Sequence, residues 1–439
     1  MSQPDEPGAP RTPEPGPAEP GSEVVAPEPG ADLTGRGPSQ PAPQPESGEA
    51  RASRALRDIA TGSFGVTVLA FVLALVIGAV LIIFTTDSVT STLSYFFSKP
   101  GDFFSAAWEA VRDSYVAMFR GAVINDRGWS FTTVFKPLTE TMTVATPLII
   151  AALGVAVAFR AGLFNIGAQG QVILGATFAG YIGFTWHLPV VVHVIVAIVG
   201  GILGGAIWAS IAGVLRARTG AHEVIVTIML NYVALYLLAY LLTTRFFTQA
   251  GSNQPKSPAV GPNANLPLLL GDQFRLNAGF LVAILASVFV WWLMTRSTWG
   301  FRFRAVGSNP NASRNAGIGV ATTFIAVMAV SGALAGLAGA VQVLGTEKSL
   351  TGGIAGSLGF DAITVALLGR SKPLGIFFAG LLYAALDVGG RAMEAATGTP
   401  IDLVLVIQSL VVLFIAAPPL VRAIFRLPAP RTEAKGAQA

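Results

Sequence analysis

The chain contains no cysteine, which excludes disulfides, thiolate nucleophiles and cysteine-bearing metal sites. Charge is scarce as well. Asp, Glu, Lys and Arg make up 12% of the 439 residues, about half of the roughly 25% usual in soluble domains. So few charges could not cover a soluble protein of this length, so lipid must solvate much of it. Histidine is limited to His187, His193 and His222. His222–Glu223 opens like a HExxH zinc motif, but Val226 stands where the second histidine is needed. There is no Gly-Lys dipeptide, so the phosphate-cradling Walker A loop is missing and any ATP must be hydrolysed by another chain. No catalytic residue, metal or cofactor is expected, and the chain does not read as an enzyme.

What is present is apolar. Hydrophobic residues reach 52% besides 49 glycines, and mean hydropathy is +0.62. The formal charge of +4 need not mean nucleic acid, since in a membrane protein the sidedness of arginine is what informs. Residues 1–57 are rich in Pro, Glu, Gly and Ala; such a composition cannot bury enough surface to offset its ordering entropy, and predicts a disordered tail. Arg51, Arg54 and Arg57 then precede the first long apolar run, which places the N-terminus in the cytoplasm.

Ten runs read as membrane spans: 63–84, 138–159, 166–185, 188–214, 224–243, 278–294, 318–341, 360–368, 374–388 and 401–416. The eighth is too short to cross about 30 Å of hydrocarbon alone. Threaded alternately, the cytoplasmic side collects Arg160, Arg216, Arg218, Arg296, Arg302, Arg304, Arg314, Arg370, Lys372, Arg422 and Arg426. Most outside loops carry few basic residues, so both termini fall inside. The exception is the first outside segment, whose Phe96, Phe97, Phe103, Phe104 and Trp108 suggest short amphipathic helices on the membrane surface. The expected organisation is a tail (1–57), a first span with its outside segment (58–137), a core (138–417) and a cytoplasmic C-terminal tail (418–439). The fold class is all-α, a polytopic membrane protein of about ten helices. Gly200, Gly201, Gly204 and Gly205, and Gly332, Gly336 and Gly339, recur at the spacing that lets membrane helices touch. Packing within one chain is favoured over a dimer interface.

The stretch Phe164 to Gln171 reads FNIGAQGQ. It sets Asn165, Gln169 and Gln171 at the mouth of an apolar span, where amides are costly unless paired or facing water. A translocation path and an interhelical hydrogen-bond cluster both account for them. Asp361 opens the shortest span and reads either as path lining or as a helix cap. Asp387 and Asp402 lie near predicted membrane ends, where solvation suffices. Asn309–Pro310 is a turn and helix-start signal, predicting a small helix from about Asn311 to Ala316 within a basic loop.

FNIGAQGQ resembles the FNIGAEGQ signature of the branched-chain amino acid, ribose and nucleoside permease family of bacterial ATP-binding-cassette (ABC) importers. AVGSNPNASRNAGI (305–318) is similar to that family's cytoplasmic G-x-N-x-x-A-x-x-x-G-I stretch, and EVIVTIMLN (223–231) also agrees. The resemblance covers about 138–417, with Gln169 standing where the family usually has glutamate. It implies a ten-span fold of inverted repeats and a path through Asn165, Gln169, Gln171, Asn231 and Asp361. It also implies an ATPase-coupling loop at Gly307, Asn309, Pro310, Ala316, Gly317 and Ile318. The form of the signature is closest to the larger permease of nucleoside importers. That implies partners: an ATPase with two nucleotide-binding domains, a second homologous permease and a substrate-binding lipoprotein, in the lipid of a bacterial inner membrane. Import of nucleosides is therefore expected. Simple sugars such as pentoses, or an ion-coupled secondary transporter, are the alternatives.

Overall fold

A computed structural model describes residues 63–249, 251 and 254–426; the expected N-terminal tail and residues 427–439 lie outside them. Every one of the ten apolar runs is helical, and no strand occurs among the described residues. The helices are α1 (Ser63–Thr85), α2 (Pro100–Ala122), α3 (Phe131–Arg160), α4 (Ala168–Thr185), α5 (Val190–Thr219), α6 (Glu223–Leu241) and α7 (Gly279–Arg296). The short α8 (Thr298–Ser308) and α9 (Pro310–Asn315) follow. The chain closes with α10 (Val320–Val341), α11 (Leu358–Leu368), α12 (Pro373–Thr397), α13 (Ile401–Ala416) and α14 (Pro418–Ile424).

Seven of these are long and apolar enough to cross a membrane, and α13 with α14, bent by 95°, makes an eighth. The other two runs, α4 and α11, fall short for different reasons. Gln169, Gln171 and glycines occupy the first turn of α4, and α11 has only 11 residues.

Helix α3 is the centre. In its most apolar window 83% is buried, against 22% in α6, so α3 is enclosed by protein while α6 turns most of its side chains outward. It begins at Phe131 rather than 138, because Ser130 caps it (Thr133 N–H to Oγ, 3.3 Å) and Pro137 is accommodated inside the helix. Around α3 lie α2, α4, α7, α10, α11 and α12.

The tightest crossing is α5 against α10. A Cβ on Gly205 would come within 2.6 Å of the Gly336 Cα, and one on Gly336 would strike the Gly201 carbonyl oxygen. The glycine rows therefore pack within one chain, where only hydrogen side chains let the two backbones touch. Gly175 and Gly339 bring α4 against α10 in the same way.

The first outside segment meets expectation in part. Two short helical pieces, Asp87–Thr90 and Ser91–Tyr95, come first, followed by one 23-residue helix, α2, docked on α12. Small residues explain the docking: Gly121 faces Ala392, and a Cβ on Gly389 would lie 2.5 Å from the Met118 carbonyl oxygen. The Thr141 hydroxyl also donates to the Ala122 carbonyl, 2.7 Å. From the last turn of α2, the Arg120 guanidinium hydrogen-bonds Asp126 and holds that carboxyl below the usual carboxylate range. Helix α1 packs on α13 and α14, and the expected C-terminal tail thus begins with a helix whose Val421 is buried.

Basic side chains gather at one end of the bundle. The Arg160 Nε donates to the Ser371 carbonyl (2.7 Å), tying the end of α3 to the α11–α12 turn. Arg216 lies 3.4 Å from the Glu223 carboxylate and over the Phe324 ring near the start of α10.

Candidate functional site: the broken helices and the cavity beside them

Helix α3 ends on Gly162, whose φ of +72° suits glycine. Leu163 N–H reaches the Ala158 carbonyl and Gly162 N–H the Phe159 carbonyl, 3.0 and 3.1 Å, a Schellman ending that satisfies carbonyls the helix leaves open. The chain then re-enters the bundle without helix until Ala168.

Asn165 organises this turn. Its Oδ1 accepts from the Gly167 N–H (2.9 Å), and its Nδ2 donates to Ser331 Oγ on α10 (2.8 Å). It also forms a reciprocal amide pair with Gln171, at 3.0 and 3.1 Å. Asn231 on α6 accepts from the Gly170 N–H (2.8 Å) and donates to the Ile166 carbonyl (2.9 Å). Two of the donors at the start of α4, the Gly167 and Gly170 N–H groups, are thereby paired. Asn165, Gln171 and Asn231 are all buried. Their hydrogen bonds join the start of α4 to α6 and α10.

Gln169 and Asp361 sit differently. The Gln169 Nε2 donates to the Gly356 carbonyl (2.6 Å), and its Oε1 accepts from the Gly359 N–H (2.7 Å). One side chain thus joins the start of α4 to the start of α11, two helices that begin inside the bundle. Both halves of the amide are used, and a carboxylate could not make the first bond. Gln169→Glu is expected to cost about 1 kcal/mol and Gln169→Leu about twice that. Thermal unfolding of the detergent-solubilised protein checks it; equal melting for all three forms would dismiss the bridge.

Asp361 accepts from Ser357 Oγ and from the Tyr383 hydroxyl, each at 2.6 Å. It lines a cavity of 300 Å³ with Gln342, Glu347, Asp387, Arg391 and Gln408. Asp387 lies within its helix, not near its end as the sequence suggested. Helix α12 continues to Thr397, and Asp387 is ion-paired with Arg391 at 2.8 Å, one turn on. Tyr383 and Gln408 went unnoticed in the sequence. The available signal was a lone glutamine within the apolar helix α13, a costly placement unless it has a role.

The basic loop folds as its sequence suggests. Asn309 Oδ1 accepts from the Asn311 and Ala312 N–H groups, both 3.0 Å, and Pro310 starts α9. Ala316 and Gly317 end it: Gly317 has φ +80°, and Ile318 N–H closes onto the Ser313 carbonyl at 2.9 Å. Asn311, Arg314, Asn315 and Ala316 are exposed. Gly307 lies beneath, where a Cβ would sit 2.7 Å from the Arg160 carbonyl oxygen. Among the described residues no cluster of His, Asp or Glu is suited to a metal ion.

Residues 138–416 match the profile of a family described as branched-chain amino acid transport system / permease component. The guanosine ABC transporter permease protein NupP of Bacillus subtilis is 39% identical over 283 residues, 63% of this chain and 80% of that protein. The glucose ABC transporter permease protein TsgB13 of Haloferax volcanii is 37% identical over 69% of this chain and 80% of its own length. The nucleoside ABC transporter permease protein NupB of Lactococcus lactis is 35% identical over 64% and 79%. No solved structure matches the chain significantly.

Proposed function

We propose, from the premise that this chain belongs to the branched-chain amino acid transport system / permease component family, that it is the membrane-spanning permease of an ABC importer of nucleosides. The observation that carries the substrate is similarity to a guanosine and a nucleoside permease over about four-fifths of each. The glucose permease, at 37% identity, favours a sugar as the second reading.

In this reading the basic end of the bundle faces the cytoplasm and both termini lie there, in a bacterial inner membrane. The exposed α9, capped at both ends and rooted on the end of α3 through Gly307, is the piece that docks on a separate ATPase with two nucleotide-binding domains. A second, homologous permease completes the path, and a substrate-binding lipoprotein delivers the solute. Nucleotide binding favours one of two arrangements through its differential affinity for them. Motion reaches the core because α8 and α3 share the Gly307 contact. Gln169 and Asp361 stand at the path, with Asn165, Gln171 and Asn231 as the layer behind that holds the broken helix in place.

Two measurements test the proposal. The chain, tagged and extracted gently from its native membrane, should bring with it an ATPase and a second permease. Deleting its gene should abolish uptake of labelled guanosine; unimpaired guanosine uptake alongside lost glucose uptake would replace the first reading by the second. A sharper prediction concerns Gly317. Valine there must adopt a left-handed conformation costing about 1–2 kcal/mol and spoils the end of α9. Gly317→Val should keep basal ATP hydrolysis while losing stimulation by solute and binding protein. Full stimulation in that variant would remove α9 from the coupling route.

A further inference from the structure

We infer that the cavity lined by Asp361, Tyr383 and Gln408 is a subsite for the vicinal hydroxyls of a neutral sugar ring, an assignment that rests on the importer reading above. Three observations converge on it. The first is a buried side chain with an acceptor open to the cavity. Gln408 is 3% exposed, its Nε2 donates to the Tyr383 carbonyl at 3.1 Å, and its Oε1 accepts nothing among the described residues while the side chain lines the cavity. That oxygen is not among the enclosed atoms left without a partner; it opens to the cavity, where a solute hydroxyl can donate to it.

The second is the balance of charge. Glu347, Asp361 and Asp387 face Arg391 alone in the cavity wall, and Arg391 is already paired with Asp387. An anionic solute such as a nucleotide would meet uncompensated carboxylate and be repelled. A metal ion finds no suitable cluster, because the carboxylates are dispersed among hydroxyl and amide partners. A hydroxyl, which donates and accepts at once, suits such a wall. Each Asp361 oxygen accepts one protein hydrogen bond and keeps lone-pair capacity for another. Gln342 Nε2 is only weakly engaged, 3.5 Å from Glu347, and is available to donate.

The third is the shape of the wall. The chain after α10 winds as a π-helix over Gln342–Glu347, a rare turn that is frequent at functional sites. It ends at Lys348, a non-glycine residue at φ +56°. The cavity's 300 Å³ is at the lower end of the roughly 300–1,000 Å³ of small-molecule sites. Tyr383 is its sole aromatic lining residue, so the wall offers little to stack on a flat base. The ring and its hydroxyls, common to a nucleoside and a simple sugar, are what it can hold.

The absence of cysteine makes a direct test possible. Leu405 lines the cavity and makes none of its polar contacts. Leu405→Cys in membrane vesicles carrying the whole transporter gives a single thiol in this chain, whose reaction with a water-soluble methanethiosulfonate can be timed. Guanosine and ribose should each slow it about fivefold when held at about four times their dissociation constant. Guanine and guanosine monophosphate should not. Adding Gln408→Leu or Asp361→Asn should remove the protection by ribose. Protection by guanine equal to that by guanosine, protection by no solute, or protection that survives both substitutions would overturn the subsite. So would a thiol at position 405 that never reacts, because the cavity would then be closed to water. Guanosine uptake by the same vesicles without the substitution reads the importer proposal separately: uptake without protection removes the subsite alone, and protection without uptake removes import alone.

Discussion

Asn165→Leu should yield little folded protein, and what folds should melt well below the unmodified chain. The side chain is fully buried and serves the Gly167 N–H, Ser331 and Gln171 together. Leucine strands at least two of these, at about 1–3 kcal/mol for each group left unpaired. Gln171→Leu should act in the same direction. The double substitution should cost less than the sum of the two, because the reciprocal amide pair disappears whole and neither half is orphaned. Thermal melting with solubilised yield, measured for the full cycle, decides it. Wild-type melting in Asn165→Leu together with lost uptake would instead return this asparagine to the solute path, the role that the family resemblance assigns it.

The second large effect is expected at the crossing of α5 and α10. In Gly336→Val the new carbon would run into the Gly201 carbonyl oxygen and lie 2.9 Å from the Gly205 Cα. Backbone atoms of a packed helix cannot step aside as a long side chain can. Overpacking of well-filled cores costs about 1–3 kcal/mol where side chains can relax, and here the helices themselves must separate. Gly336→Val should therefore abolish assembly, measured as recovery of a monodisperse complex. Gly101→Ala is the control: nothing lies within 4 Å of its new carbon, so it should assemble normally. Normal recovery of Gly336→Val would mean that α5 and α10 do not touch as described.

How far each element was legible depends on whether its partner is near in sequence. Runs such as 63–84 and 401–416 are visible because a long apolar stretch has few alternatives to a helix in lipid. Helix α9 was visible because Asn309, Pro310 and Gly317 carry its start and stop within nine residues. Helix α2 was not. Its pattern is amphipathic, and nothing in residues 100–122 says that Gly121 will meet Ala392. The same limit governs the site. FNIGAQGQ stood out because amides are rare at such depth. Whether they face a path or each other turned on Ser331 and Asn231, 166 and 61 residues from the groups they bind. Tyr383 and Gln408 escaped notice because their partners lie on other helices, 22 and 25 residues away.

The bridge made by Gln169 has an electrical consequence. Two helices, α4 and α11, start on either side of one uncharged amide, so the positive ends of their peptide dipoles converge there, each equivalent to roughly half an elementary charge. Asp361, in the first turn of α11, offsets part of this on the side of the cavity. A proton or sodium ion on the proposed path would meet a local hill of positive potential at the bridge, apart from the carboxylates of the cavity, as at the half-helix junctions of water channels. Glutamate in place of Gln169 would cancel much of that hill. With glutamine, the proposed path keeps that barrier to stray cations where the two dipole ends meet.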